Sequence, residues 1–152
     1  MADRNQVYTV VINHATGGEQ LGAGITVNYE VEFEAEEDMY LIGAILAGTK
    51  AVKCDVICTL IKGALSHYMS AYGTSQLFTG DRPMFSAHLT ASAVEGDIGH
   101  TNEFQMLPKG EYFFIEEGEG FSMNGQLRNN DVAIHTLLAQ AIVFYKKTKP
   151  KP

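Results

Sequence analysis

The sequence contains no tryptophan, only two cysteines and only four prolines among its 152 residues. Glycosidases use a pair of carboxylates and commonly stack sugars on tryptophan, so the absence of tryptophan disfavours that class. No apolar run approaches the roughly 20 residues that span a bilayer. The polar residues 1–6 lack the apolar core of a signal peptide. We therefore expect a soluble, cytoplasmic chain without a membrane partner.

The two cysteines, Cys54 and Cys58, lie four positions apart. On one strand, their Cα atoms would be about 13 Å apart, whereas a disulfide needs less than about 7 Å. A metal or redox role would need further Cys or His ligands nearby, and the neighbouring sequence offers none. Free, buried thiols are the expectation.

Basic residues are few and unevenly placed. The formal net charge is -7, and four of the 11 Lys and Arg residues lie in the last seven positions: Lys146, Lys147, Lys149 and Lys151. The preceding 145 residues hold 18 acids against 7 bases, a net charge of -11. An acidic body argues against direct binding of nucleic acid, because the phosphate backbone is recognised by positive charge.

Recognisable catalytic motifs are also missing. The sequence has no Gly-x-Ser-x-Gly elbow, no phosphate-binding Walker loop and no Gly-x-Gly-x-x-Gly. The five histidines do not form His-x-His or His-x-x-x-His pairs: His14, His67, His88, His100 and His135. Residues 108–111 resemble part of the second cupin motif, but the histidines of a cupin site are not at matching spacing. We predict no catalytic residue, no metal site and no cofactor, and keep a cupin-like metal-dependent enzyme as a third alternative.

The clearest patterns in the sequence are those of β-strands. Over residues 25–35, Ile25, Val27, Tyr29, Val31 and Phe33 alternate with polar residues, which predicts a strand with one buried face. Similar strands are predicted for residues 7–12, 39–47, 51–61, 84–94 and 111–116. Glycines mark a loop between the first two strands and interrupt the chain after residue 117.

Two segments have patterns that fit a helix but also another structure. Residues 63–72 have helical spacing and could form a short helix or a loop. Residues 131–147 fit a helix too, but their β-branched and aromatic content favours a strand with a bulge near Ala139. With about eight short strands and frequent turn signals, the sequence predicts an all-β, antiparallel β-sandwich or jelly roll over residues 1–145.

The most distinctive polar feature is a row of carboxylates on one strand face: Glu30, Glu32, Glu34 and Glu36. This row has three interpretations: a solvated outer face that blocks edge pairing, a surface neutralised by bases of another subunit, or a site for a divalent cation such as Ca²⁺. Glu116, Glu117 and Glu119 form a second cluster with the same alternatives.

Three segments carry a resemblance to a known class of proteins. An acidic strand runs into Glu-Glu-Asp-Met-Tyr-Leu-Ile-Gly at 36–43, Leu-Pro-Lys-Gly-Glu-Tyr at 107–112 precedes a Gly/Asn-rich loop, and the chain closes on Ala-Gln-Ala-Ile-Val-Phe-Tyr-Lys at 139–146. This order resembles the small β-sandwich proteins of bacteriophage virions, namely capsid decoration (cement) proteins and the heads of short fibres.

The resemblance implies a homo-oligomer, a trimer rather than a dimer, bound to a major capsid protein on the virion surface. It implies no catalytic residues. The sequence thus predicts a virion structural protein, with a non-viral β-sandwich module that binds carbohydrate or protein as the alternative. The interface candidates are the Glu row and the four C-terminal lysines. Because Pro150 and Pro152 end the last strand, residues 146–152 are predicted to leave the sandwich as a basic arm.

Overall fold

A computed structural model describes residues 6–62, 83–90 and 100–152. Over these ranges the chain is all-β, as predicted, with eleven strands: β1 (Tyr8–Asn13), β2 (Glu19–Leu21), β3 (Thr26–Glu34), β4 (Met39–Thr49), β5 (Cys54–Lys62), β6 (Pro83–Thr90), β7 (His100–Met106), β8 (Phe113–Ile115), β9 (Gly120–Asn129), β10 (His135–Leu137) and β11 (Ala139–Lys146). Nowhere in these ranges is there a helix long and apolar enough to cross a membrane.

The strands form two main antiparallel sheets. One is five-stranded, with the order β1-β11-β4-β7 and β8 pairing with β4 beyond the end of β7. The other is four-stranded, with the order β3-β9-β5-β6, and a short third sheet pairs β10 with β2. Most neighbours within the sheets are far apart in sequence, as in a sandwich with long connections between strands.

The hydrophobic core lies between the two main sheets. Leu41, Leu46 and Val143 from the five-stranded sheet and Leu60 and Phe121 from the four-stranded sheet are fully buried members of one cluster. Because successive side chains of a strand point to opposite sides of its sheet, each sheet has one face in this core and one face turned outward. This arrangement confirms the predicted β-sandwich.

The alternation that predicted β3 holds over most of its length. Tyr29 is buried, and Val27, Val31 and Phe33 are partly buried and pack on the core. Ile25 departs from the pattern: it precedes the strand and is 47% exposed. The cysteine-containing strand is also as predicted, since Cys54 and Cys58 are buried, free thiols on the same face of β5.

The expectation that glycines break the chain after residue 117 holds at Gly118, which lies in a turn, but it is wrong for Gly120 and Gly125, which lie within β9, a central strand of ten residues. A Cβ atom built on Gly125 would lie 1.8 Å from the carbonyl oxygen of Ile57 and 2.9 Å from the Tyr29 hydroxyl. That hydroxyl donates to the Ile57 oxygen at 2.7 Å. Glycine is therefore required by a hydrogen bond that passes across β9 from β3 to β5.

Residues 135–146 of the last segment form strands and not a helix, as predicted, whereas residues 131–134, which were predicted to belong to the same strand, form a loop. The extended part divides into β10 and β11 at Leu138, next to the predicted bulge at Ala139, and a register shift falls between Phe144 and Tyr145. The ambiguous residues 63–72 and residues 91–94 of a predicted strand lie outside the described ranges.

Candidate docking surfaces

The Glu row lies on the outward side of β3, an edge strand of the four-stranded sheet. Glu30, Glu32 and Glu34 are exposed on the strand, and Glu36 is exposed just beyond its end. Within the described residues these carboxylates do not converge with others on a cation site. Of the three interpretations, the edge position fits a solvated face that discourages pairing with another strand.

The basic tail does not project from the sandwich. Lys147 Nζ lies 3.2 Å from Glu37 Oε1 and 4.3 Å from the centre of the Tyr8 ring. The carboxylate of Glu37 raises the pKa of Lys147. One of the four candidate lysines is therefore already engaged by the chain's own acidic body.

The end of the tail also packs on the body. Pro150 is buried, and a Cβ atom on Gly110 would lie 2.6 Å from the Cα atom of Pro152. Lys146 and Lys151 line an open cavity of about 610 Å³ between the tail and residues 107–111. The sequence predicted a free arm because two prolines cannot continue a ladder, but prolines can still pack as apolar side chains. The structure thus replaces the free arm with a strap that packs on the turn at Gly110.

The second acidic cluster stabilises a turn. The Glu119 side chain accepts the backbone N–H of Glu116 at 2.8 Å, and the Asp38 side chain accepts that of Glu117 at 2.9 Å. Gly118 adopts a φ of 89° between them. One carboxylate of the turn, Glu119, and one from outside it, Asp38, thus satisfy backbone donors of the turn.

Histidines pair one by one with carboxylates in the described part of the chain: His14 with Glu19 at 3.3 Å, His88 with Asp55 at 3.7 Å and His135 with Asp131 at 2.8 Å. No group of three or more His, Cys, Asp or Glu residues in those ranges is placed to hold a metal. His67 lies outside them, and His100 is described only as backbone of β7.

The His14 side chain is buried and makes contacts with residues of several strands. Its side chain is 2% exposed, and its ring lies 5.2 Å from that of Tyr29. The Nδ1 atom accepts the backbone N–H of Ala139 at 2.9 Å, at the point where β11 begins. An acceptor at Nδ1 places the ring proton on Nε2, facing Glu19. These contacts describe a histidine that connects the ends of β1 and β11.

The buried thiols are poor nucleophiles. Burial raises the pKa of Cys58 to about 12 and that of Cys54 to about 11. Burial likewise raises the pKa of Tyr29, which lies beside Cys58. A thiol reacts as the thiolate, so both cysteines are inert at neutral pH while the core stays closed.

The loop after β9 is held by one buried amide. The Asn129 side chain is fully buried, and its Nδ2 atom donates to the carbonyl oxygens of Leu21, Gly22 and Ala133 at 3.1, 3.1 and 2.8 Å. Its Oδ1 atom accepts the backbone N–H of Asp131 at 2.9 Å. Asn129 therefore fixes residues 130–134 against the turn that precedes β3.

This fixed loop presents apolar side chains to solvent. Asp131 accepts the backbone N–H of Val132 and pairs with His135, so the loop is also braced internally. Val132 is 90% exposed and Ile134 is 62% exposed, and Ile25 on the adjoining turn is 47% exposed. We call Ile25, Val132 and Ile134 the apolar tip. A rigid segment with exposed apolar side chains loses little entropy on docking.

Comparison with known proteins gives little further information. No family model matches the chain, and no curated protein matches its sequence. Among several solved structures that match is "Structure of infectious bursal disease virus Gx strain", whose alignment covers 99% of this chain and 35% of that chain at 14% identity and a TM-score of 0.37. The chain thus spans about a third of the length of that viral protein.

The apolar tip was missed by sequence reasoning because Val132 and Ile134 occupy alternate positions, as in a strand. Their flanking Asn and Asp residues are the signal that was available, since these side chains bond to nearby backbone and favour turns. The tail lysines were singled out by charge alone, and charge did not reveal the buried Pro150.

Proposed function

We propose that this chain is a non-catalytic structural protein of the virion, of the capsid decoration type, which docks on the shell built by a major capsid protein. The proposal extends the resemblance of segments 36–43, 107–112 and 139–146 to phage decoration and fibre-head proteins. It assigns the chain a role in assembly and binding, with no turnover of a substrate.

The observation that supports docking is the apolar tip. Val132 and Ile134 are exposed although the loop that carries them is fixed by the Asn129 amide and the Asp131–His135 pair. Exposed apolar side chains on a pre-ordered loop are typical of surfaces that meet a partner. We propose that the apolar tip enters a groove of the shell protein.

The first test is the composition of particles. Virions of the virus that encodes the chain are purified and analysed by quantitative mass spectrometry. The expected result is a copy number near that of the major shell protein. Absence of the chain from particles would show that the proposed function is wrong.

A second test concerns the apolar tip. The double variant Val132→Asp/Ile134→Asp should bind particles that lack the chain at least about tenfold more weakly than the wild type, because charges replace desolvated apolar contacts. The control is Ser86→Asp, which adds a charge at an exposed position of β6. If both variants bind like the wild type in co-sedimentation, the apolar tip is not the contact.

A further inference from the structure

The outward side of the five-stranded sheet carries an aligned, uncharged surface. The strand register places side chains of β1, β11, β4 and β7 in rows across the sheet. We call this surface the outer face: it comprises the row Val11, Ile142, Ile45 and Phe104, the row Thr9, Phe144, Gly43 and Met106, and the row Asn13, Gln140, Ala47 and Asn102. Every one of these side chains is uncharged.

The apolar centre of the outer face is open to solvent. Phe104 is 58% exposed, Met106 54% and Val11 52%. The rings of Phe104 and Phe144 are in contact, with centroids 5.7 Å apart. The Met106 side chain covers Gly43, since a Cβ atom there would lie 2.7 Å from its sulfur. Side chains from different strands thus tile one continuous surface.

Polar groups border this centre. At one end Gln140 Nε2 donates to Asn13 Oδ1 at 2.8 Å, and at the other end Lys146 pairs in register with Tyr40. On β7 the alternating Gln105 points away, because its Nε2 atom donates to the Ser86 oxygen on β6. An apolar centre with a polar rim is the usual anatomy of a protein interface.

We propose that the outer face is where a second copy of this chain docks, the two copies related by a two-fold axis. The inference rests on the proposed role in assembly. It is supported by charge: residues 1–145 carry a net charge of -11, and two such copies repel each other least where the facing surfaces lack carboxylates. In such a dimer the two Glu rows lie about three inter-sheet spacings apart, roughly 30 Å, which exceeds the Debye length of about 8 Å.

The size of the outer face agrees with a dimer of moderate affinity. Four strands about 4.8 Å apart and three rows about 6.8 Å apart give a projected area of roughly 400 Å² before side-chain relief is counted. Standard interfaces bury about 800 Å² per partner, so the rim must contribute and a dissociation constant on the order of micromolar is expected. One face meeting itself closes as a dimer, whereas a trimer needs two different surfaces on each copy.

The test is the mass of the full chain in solution, measured by sedimentation equilibrium from about 1 to about 100 µM, a range that brackets a micromolar constant. The wild type should approach twice its mass of 16.6 kDa. Phe104→Glu should remain monomeric over this range, because the partner's apolar surface cannot solvate the carboxylate. The matched control, Val132→Glu, places the same charge on the apolar tip and should dimerise like the wild type.

Val11→Glu is the second variant, in case Phe104→Glu does not fold as judged by circular dichroism; it should also be monomeric. A wild type that stays monomeric at about 100 µM, or one that forms trimers, overturns the inference, as does dimerisation of both outer-face variants or dissociation of Val132→Glu. Particle binding is measured separately. A wild type that binds particles but stays monomeric in solution refutes this inference alone, whereas a wild-type dimer that is absent from particles refutes the proposed function alone.

Discussion

The two main sheets bury similar inner faces but carry very different side chains on their outward faces. The four-stranded sheet presents Glu30, Glu32 and Glu34 on its edge strand β3, while the outer face of the five-stranded sheet has only uncharged side chains in three aligned rows. Both sheets alternate with the same period, so the fold itself does not dictate this difference. One side of the sandwich is suited to repel neighbours and the other to accept them.

The largest expected effect is on the free energy of unfolding, and it compares one phenylalanine on the inner side of a sheet with another on the outer face. Phe121 is fully buried on the inner side of β9, and Phe104 is more than half exposed on the outer face. Phe121→Ala should lower the free energy of unfolding by about 3–5 kcal/mol, because it leaves a cavity in the core. Phe104→Ala should cost less than about 1 kcal/mol at concentrations where the chain is monomeric. Denaturant unfolding measures both, and equal costs would mean that the assigned faces are wrong.

A smaller loss of stability is expected from Asn129, which fixes the loop after β9. Asn129→Ala should cost about 3 kcal/mol, because it removes several hydrogen bonds and leaves buried carbonyl oxygens without donors. The neighbouring Asn130 is exposed and is the control: Asn130→Ala should change stability by less than about 0.5 kcal/mol. Hydrogen exchange of residues 130–134 should rise only in the first variant. Unchanged exchange there would contradict the role of Asn129 in fixing the loop.

Neutralising the Glu row on β3 tests whether its charge repels neighbouring molecules. The triple variant Glu30→Gln/Glu32→Gln/Glu34→Gln should be more stable by up to about 1 kcal/mol at low salt, since like charges on one face repel. It should also form larger species than the wild type, because the β3 edge loses its protection. Light scattering at low and high salt measures this. A triple variant with the same mass and solubility as the wild type would show that the row does not guard the edge.

The smallest effect is a pH dependence at the loop. The hydrogen bond from His135, followed by that from the Val132 backbone, lowers the pKa of Asp131 in the folded state. A lowered folded-state pKa adds stability above the unfolded value of about 3.9, and this stability is lost as pH falls through the folded pKa. The melting temperature of the wild type should therefore fall more steeply below about pH 4 than that of Asp131→Asn. Parallel curves would contradict the assigned cause.

The sequence predicted the all-β class and the alternation of β1, β3 and β5, because period-two patterns are local. It failed at β9, where Gly125 is required by contacts with Tyr29 and Ile57, which lie far away in the chain. The outer face could not be predicted from the sequence for a related reason. Val11, Ile142, Ile45 and Phe104 come from four strands that are not consecutive, so their alignment depends on long-range register. The tail was misjudged because its packing partner, the turn at Gly110, is equally remote.

The pairing of β1 with β11 has a mechanical consequence. Tyr8 at the start of β1 lies opposite Tyr145 near the end of β11, so the chain enters and leaves the five-stranded sheet side by side. A force that pulls these two points apart loads the ladder from one end and breaks its hydrogen bonds one pair at a time, as a zipper opens. The first contact to yield is Lys147 with Glu37 and Tyr8. Tension applied at Tyr8 and Tyr145 should thus open the sheet at its β1 edge while the inner strands stay paired.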